Sequence, residues 1–257
     1  MDLGLENRRA LVTGASRGLG RAIASALASE GADVVAVARN RDRLNDLVAG
    51  SATGGGNITA RVCDLADPAA IENLRDALEQ TDVLILNTGG PPPGTAGDVP
   101  DAVWIEQFDK MFLSLVRLTR LTLPGMRRRG FGRILAVVSS GVIQPIPNLA
   151  ISNALRMAVV GWAKTLASEV AGDGITVNCL APGRIATDRV SELDQGRAQR
   201  ERISVAEVER QSRSAIPAGR YGEAAEFASI ATFLASPRSS YVTGGIIRLD
   251  GGMIRSV

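Results

Sequence analysis

Short runs of Val, Ile, Leu and Ala alternate along the chain with longer stretches in which apolar side chains recur every three or four positions. The runs at Ala10–Val12, Val34–Ala38, Ile58–Val62, Val83–Leu86, Ile134–Val138, Ile175–Leu180 and Ile246–Leu249 are short and almost wholly apolar. That pattern predicts seven strands buried on both faces. Helical periodicity covers Gly20–Ser29, Arg41–Val48, Ala69–Glu79, Trp104–Leu123, Leu155–Val170 and Glu223–Leu234. Strands alternating with helices imply right-handed crossovers, so the expected fold class is α/β, a doubly wound, seven-stranded parallel sheet with helices on both faces. No linker, repeat or low-complexity tract divides residues 1–257, and one domain is expected.

Two stretches break the rhythm. Gly89-Gly90-Pro91-Pro92-Pro93-Gly94 follows the fourth strand, and a charged segment from Ile185 to Ile216 precedes the last helix. Both leave strands at their carboxyl ends, the edge where open α/β sheets bind ligands. They are therefore candidate walls of a site, with residues 185–216 as a substrate lid.

Charge and composition narrow the function. Lys+Arg 29 against Asp+Glu 27 leaves a net charge of +2, without the basic excess that tracks nucleic-acid phosphates, so no nucleic-acid partner is expected. There is no apolar stretch long enough to span a bilayer and no signal-like N-terminus, and Cys63 and Cys179 make no disulfide framework. A reducing cytoplasm is the expected compartment. The chain has no histidine, only two tyrosines and only two lysines, Lys110 and Lys164, so groups able to exchange a proton near neutral pH are scarce.

After the first strand comes Thr13-Gly14-Ala15-Ser16-Arg17-Gly18-Leu19-Gly20, which opens a helix. Glycines let a backbone turn tightly and approach a pyrophosphate, whose charge the helix N-terminus stabilises. The T-G-x-x-x-G-x-G spacing resembles the short-chain dehydrogenase/reductase family, a Rossmann-type fold, from about residue 7 to the C-terminus. Further motifs carry the resemblance: Cys63-Asp64-Leu65, Asn87-Thr88-Gly89, Asn178 with Pro182-Gly183-Arg184-Ile185-Ala186-Thr187, Gly244-Gly245, and Asp250-Gly251-Gly252. It is similar to the 3-oxoacyl-acyl-carrier-protein-reductase-like members. The resemblance implies cofactor contacts at Gly14, Ser16, Arg17, Gly18, Leu19, Gly20, Asp64, Leu65, Asn87, Gly89, Pro182, Gly183, Ile185 and Thr187. At the end of the second strand, Val37-Ala38-Arg39-Asn40-Arg41 has no carboxylate to accept an adenosine 2′-hydroxyl, whereas Arg39 and Arg17 suit a 2′-phosphate. The expected cofactor is NADP.

Family members reduce carbonyls with Ser, a Tyr-x-x-x-Lys pair and an Asn. On this register Ser139 falls on the serine, but the tyrosine position is Ser152, the lysine position Arg156 and the asparagine position Met111, giving Ser-Asn-x-x-Arg at 152–156. Residues four apart share a helix face, so Ser152 and Arg156 are expected to look toward Ser139, with Arg156 also inheriting ribose binding. A guanidinium donates no proton and an aliphatic hydroxyl is a poor acid, so the proton is expected to arrive through water. Asn153 offers a third polar group or faces elsewhere. Lys164 lies about 18 Å along the helix from Ser152, out of reach. Tyr221 and Tyr241 are expected to be structural, and Asp188, Glu192 and Asp194 are lid carboxylates.

Three functions remain open on the sequence: an atypical NADP(H)-dependent oxidoreductase acting on a small-molecule carbonyl or alcohol, a catalytically silent NADP-binding sensor or scaffold, and, with much less support, a non-redox isomerase or dehydratase. The resemblance also implies a homotetramer or dimer built on the helices near Trp104–Leu123 and Leu155–Val170 and on the C-terminal strand.

Overall fold

The computed structural model describes residues 2–51 and 55–256. Seven parallel strands form one sheet in the order β3-β2-β1-β4-β5-β6-β7, where β1 is Arg9–Thr13, β2 Asp33–Ala38, β3 Ile58–Val62, β4 Val83–Leu86, β5 Gly132–Val137, β6 Ile175–Pro182 and β7 Ile246–Leu249. All seven expected strands are present, but β3 and β7, at the two edges of the sheet, are partly or fully exposed along most of their length rather than buried on both faces. Strand order reverses between β1 and β4, which opens a crevice at their carboxyl ends.

The period-two alternation of the strands divides the core into two layers. Val12, Ile85, Leu135 and Val137 point to one face and meet helices α1 (Gly18–Ser29), α2 (Arg41–Ala49) and, near the end of the chain, a helix over Ala224–Ala235. Leu11, Leu84, Leu86, Ile134 and Ala136 point to the other, against helices that follow β3, β4 and β5. Because both faces are covered, the central strands carry no polar alternation, which is why they read as continuous apolar runs.

Three helical expectations change in detail. The stretch from Ala69 to Glu79 is two short helices, α3 (Pro68–Glu72) and α4 (Arg75–Glu79), parted at Leu74, whose backbone leaves the helical region at φ −93°, ψ 0°. The helix expected over Trp104–Leu123 is longer at both ends and contains a π-helical turn: α5 (Asp101–Phe108), the π turn Asp109–Leu113, then α6 (Ser114–Arg129). Pro124 lies inside α6 without ending it. The helix over Leu155–Val170 starts five residues earlier, as α7 (Ala150–Val170), and this places position 152 in its first turn. The charged segment after β6 folds into α8 (Asp188–Glu201) and α9 (Val205–Ser214), leaving Ala224–Ala235 as α10. No helix among the described residues is long and apolar enough to cross a membrane.

The helices α4 and α6 meet closely at Gly125, where an added Cβ would lie 1.8 Å from the Glu79 carbonyl oxygen. Backbone cannot yield as a side chain does, so the two helices would have to part. Gly125→Ala is expected to lower stability by about 2 kcal/mol in urea unfolding, overpacking outweighing the gain in helix propensity of roughly 1 kcal/mol. A variant as stable as the parent would show that α6 slides freely on α4.

Candidate active site

The crevice between β1 and β4 is built by backbone fit. The buried Thr13 hydroxyl donates to the Asn87 carbonyl at 2.9 Å and accepts from the Asn87 N–H at 2.8 Å, clipping the end of β1 to the loop after β4. Gly14 then turns with φ +62°, and a Cβ there would meet the Asn87 side chain at 2.6 Å. At Gly20 a Cβ would sit 2.3 Å from the Gly14 carbonyl oxygen, so only glycine lets α1 begin this close to the strand. Arg17 is the N-cap of α1 and gives it no side-chain cap, leaving the first-turn N–H groups without a capping acceptor. This is an anion cradle of the kind a dinucleotide pyrophosphate fills.

The other positions expected around a cofactor line the same sheet edge. Arg39 follows β2. Asp64 and Leu65 follow β3, with the Asp64 carboxylate accepting from the Ala66 N–H at 3.0 Å. Asn87 and Gly89 follow β4. Pro182 ends β6, and Gly183, Ile185 and Thr187 lead from it into α8. Gly183 packs so tightly on the turn after β7 that a Cβ would lie 2.7 Å from the Asp250 Cα.

At the end of β5 the backbone runs extended through Ser139, whose Oγ accepts from the Gly141 N–H at 3.1 Å. Ser152 and Arg156 stand one turn apart on α7, 8% and 9% exposed. Arg156 Nη1 donates to the Val137 carbonyl at 2.6 Å, the last residue of that strand. Burial, reinforced by the like charge of Arg189, pulls the Arg156 pKa down to about 10, which leaves it charged at neutral pH. Met111 lies in the π turn, buried in an apolar cluster with Ile151 and Leu155 of α7, and its thioether supplies no N–H or O–H donor. π turns often mark functional positions, yet no residue type in Asp109–Leu113 announces one.

The two segments that broke the sequence rhythm meet over this site. Arg189 of α8 donates from Nη2 to the Pro91 carbonyl at 2.7 Å, across the loop after β4. That loop is in turn pinned to the start of α7, through Gly94 N–H to Asn148 and Ala150 N–H to Gly94. Nearer α1, Arg17 Nη1 lies 2.8 Å from Glu192 and 3.5 Å from Asp188, and Arg43 Nη1 lies 3.6 Å from the same Asp188 oxygen. Arg43 escaped the sequence reading because nothing in α2 distinguishes it from a surface arginine. Only the fold brings it beside Arg17, where one carboxylate oxygen occupies a two-arginine fork.

Several polar residues are engaged elsewhere. Asn153 is bound to Ile146 at both ends of its amide, with Nδ2 donating to the carbonyl at 2.9 Å and Oδ1 accepting from the N–H at 3.3 Å. Asp194 is fully buried between the Arg184 guanidinium and the Tyr221 hydroxyl, which donates to it at 2.7 Å. Asn178 fastens β6 to Val242 and Gly245 at 2.7 and 3.1 Å. Lys164 lines a separate pocket with Val160, Cys179 and Ile246, and Tyr241 is exposed.

Comparison with known proteins now decides the family. The sequence pattern of the enoyl-(acyl carrier protein) reductase family matches residues 14–254. The chain is 34% identical over 255 residues to dehydrogenase/reductase SDR family member 4 of Bos taurus, covering 97% of this chain and 88% of that one. It belongs to the short-chain dehydrogenase/reductase family, and so to the oxidoreductases. Within that family it is 35% identical over 257 residues to the 3-oxoacyl-[acyl-carrier-protein] reductase FabG of Escherichia coli, covering 98% and 99% of the two chains. Among solved short-chain reductase structures, L-sorbose reductase from Gluconobacter frateurii, complexed with NADPH and L-sorbose, superposes with a TM-score of 0.93 at 30% identity over the whole of both chains.

The Asp194 anchor ties α8 to the segment before α10. Asp194→Ala leaves the Arg184 guanidinium facing an apolar gap and frees the Tyr221 hydroxyl. Hydrogen exchange across residues 188–214 is expected to speed up by at least tenfold while the β1 and β4 amides stay protected. Uniform loss of protection would mean that the anchor supports the whole domain.

Proposed function

We propose that this short-chain dehydrogenase/reductase is an NADP(H)-dependent oxidoreductase that moves a hydride between the cofactor and a carbonyl or alcohol carbon of a small molecule, with Ser139, Ser152 and Arg156 at the catalytic positions in place of the family's usual acid. The observation that carries the proposal is that Ser152 and Arg156 are buried one turn apart on α7, with Arg156 bonded to Val137 at the end of β5 that leads into Ser139.

The cofactor fit rests on the glycine cradle and the arginines. Gly14, Ser16, Gly18, Leu19 and Gly20 would hold the pyrophosphate; Arg17, Arg39 and Arg43 the adenosine 2′-phosphate; Asp64 and Leu65 the adenine. Asn87, Gly89, Arg156, Pro182, Gly183, Ile185 and Thr187 would hold the nicotinamide half. The Asp188 carboxylate between Arg17 and Arg43 supports the phosphate assignment, because that fork accepts an oxyanion. When bound, NADPH supplies the hydride.

Ser139 and Ser152 donate hydrogen bonds to the substrate oxygen and polarise the carbonyl. Among the described residues the Ser152 hydroxyl has no hydrogen-bond partner of its own, so it is available for this. Arg156 brings a fixed positive charge into a low-dielectric site, where it stabilises the oxygen as negative charge develops. Neither serine is acidic enough to complete the step, so the oxygen takes its proton from water and the hydroxide left behind leaves to solvent. The segment 185–216, latched by Arg189 to Pro91, closes over the reacting carbon as a lid.

Exposed Ile105 and Phe108 on α5 and Met157 on α7 support a homotetramer or dimer through these helices. The two free buried cysteines, with thiols pushed up to about 11 at Cys63 and about 12 at Cys179, suit a reducing cytoplasm.

NADPH is expected to bind at least tenfold more tightly than NADH, and Arg17→Ala with Arg43→Ala to erase most of that difference, read by titration. Equal affinity for the two cofactors would overturn the NADP assignment. Restoring the usual acid with Ser152→Tyr plus Arg156→Lys is expected to raise kcat by roughly tenfold to a hundredfold on whatever carbonyl the parent reduces. An unchanged kcat removes these positions from the chemistry. Tight NADPH binding with no turnover on a broad carbonyl panel, in parent and variant alike, would favour the silent binder.

A further inference from the structure

The start of α8 carries Asp188, Arg189 and Glu192 close together, and the fold sets them against both rims of the crevice between β1 and β4. On the β1 side, Glu192 meets Arg17 of the glycine loop at 2.8 Å, and one Asp188 oxygen lies 3.5 Å from Arg17 and 3.6 Å from Arg43 of α2. On the β4 side, Arg189 donates to the Pro91 carbonyl at 2.7 Å and packs on Gly90 so closely that a Cβ there would meet its Nε at 2.6 Å. Thr187, just before them, lies over the glycine loop itself: a Cβ on Gly18 would sit 3.6 Å from the Thr187 Cγ2. A single helical turn therefore bridges the crevice directly beside the anion cradle.

The tethers of this turn differ in kind from the anchor of the helix behind it. Asp194 is fully buried between Arg184 and Tyr221. The side chains of Arg17, Arg43, Asp188 and Glu192 are each 46% to 58% exposed. Thr187, the N-cap of α8, gives its first turn no side-chain cap. Ion pairs this exposed are weak and change partners readily. A phosphate monoester carries about two negative charges and three acceptor oxygens near neutral pH, against the single charge that Asp188 divides between two arginines. Seated on the same fork, such a dianion would also repel carboxylates a few ångströms away.

We infer that Asp188 and Glu192 are a built-in competitor of the cofactor's 2′-phosphate. While they hold Arg17 and Arg43, the first turn of α8 is latched across the crevice. The arriving phosphate takes the arginines, expels the carboxylates and frees that turn, with the Asp194 anchor as the fixed point beyond it. An adenosine with an unmodified 2′-hydroxyl brings no charge to displace them and leaves the latch in place. The phosphate is thus a trigger as well as a handle, coupling the mobility of the lid to the arrival of NADP(H). The inference rests on the NADP reading of the arginine fork and adds to it the regulation of that site.

The test uses adenosine 2′,5′-bisphosphate and adenosine 5′-monophosphate, which fill the adenosine half of the site and bring no nicotinamide to draw the lid closed again. Each is titrated calorimetrically into the parent and into Asp188→Asn with Glu192→Gln. A control is Asp42→Asn, which removes an exposed carboxylate of α2 that pairs with no arginine among the described residues. The double variant is expected to bind the bisphosphate about threefold to tenfold more tightly than the parent, the scale of two exposed ion pairs, and the monophosphate within about twofold of it. Asp42→Asn is expected to shift neither ligand by more than about twofold at roughly 0.15 M salt, where unpaired surface charge is screened. In the parent, the bisphosphate and not the monophosphate is expected to speed hydrogen exchange by about threefold or more at Val190 and Ser191, whose N–H groups bond to the Thr187 carbonyl. A double variant that binds the bisphosphate no more tightly than the parent overturns the competitor and leaves the NADP reading standing. So does an equal gain in Asp42→Asn, or exchange at Val190 and Ser191 that the bisphosphate does not change. Bisphosphate binding by the double variant alone sustains the competitor in its strongest form. If neither protein prefers the bisphosphate to the monophosphate, the NADP reading falls and the competitor falls with it.

Discussion

The hydroxyl of Thr13 holds the ends of β1 and β4 at one height, and the rest of the site is hung from that junction. Its two hydrogen bonds to Asn87 are short and shielded from water. They set where Gly14 turns and where Gly20 meets the Gly14 carbonyl. A strand reversal opens a crevice only if its two rims are kept from closing or sliding, and side-chain packing alone does this poorly. A side chain on Gly14 or Gly20 would push α1 away from the strand, and the uncapped first turn would no longer face the crevice.

From this fixed rim the site is assembled out of permanent charges rather than titrating ones. The chain has no histidine and none of its few tyrosines or lysines stands among the proposed catalytic positions, so pKa tuning has little to act on. Arginines are brought in from α1, α2, α7 and α8, each held by a carbonyl or a shared carboxylate. Preorganised charge stabilises developing charge without any proton moving at the residue itself. It also ties down the start of α8: Asp188 and Glu192 lie against Arg17, while Arg189 between them donates to the Pro91 carbonyl.

Much of this architecture was legible in the sequence, for a physical reason. Parallel strands covered on both faces are written as nearly unbroken apolar runs, and all seven expected strands are present; their order, and the exposure of the edge strands β3 and β7, came only with the structure. The glycine spacing after β1 is legible because only glycine tolerates the contacts it makes. Interruptions within helices were not legible. Leu74 parts α3 from α4 without any glycine or proline, and the π turn at Asp109–Leu113 contains ordinary helix formers. The partners of polar side chains were hidden as well. Asn153 sits beside Ser152 in sequence, yet the helix turns it to Ile146; Asp194 reads as one more lid carboxylate but is the buried anchor of α8. Such pairings depend on segments that are distant in sequence.

On the proposed register, a guanidinium in place of the family's ammonium is consistent with the absence of a phenol beside it. A lysine next to a catalytic tyrosine is useful because its charge makes the phenol more acidic. With a serine at that position there is no proton within reach whose release such a charge would ease. A point charge on a flexible stem then has little advantage over a planar fork that cannot discharge at neutral pH and can grip an oxyanion by two parallel bonds. The bond from Arg156 Nη1 to the Val137 carbonyl anchors that fork at the end of β5. On the proposed register, a serine at position 152 leaves the neighbouring cation no phenol to support, and its charge acts directly on the reacting oxygen.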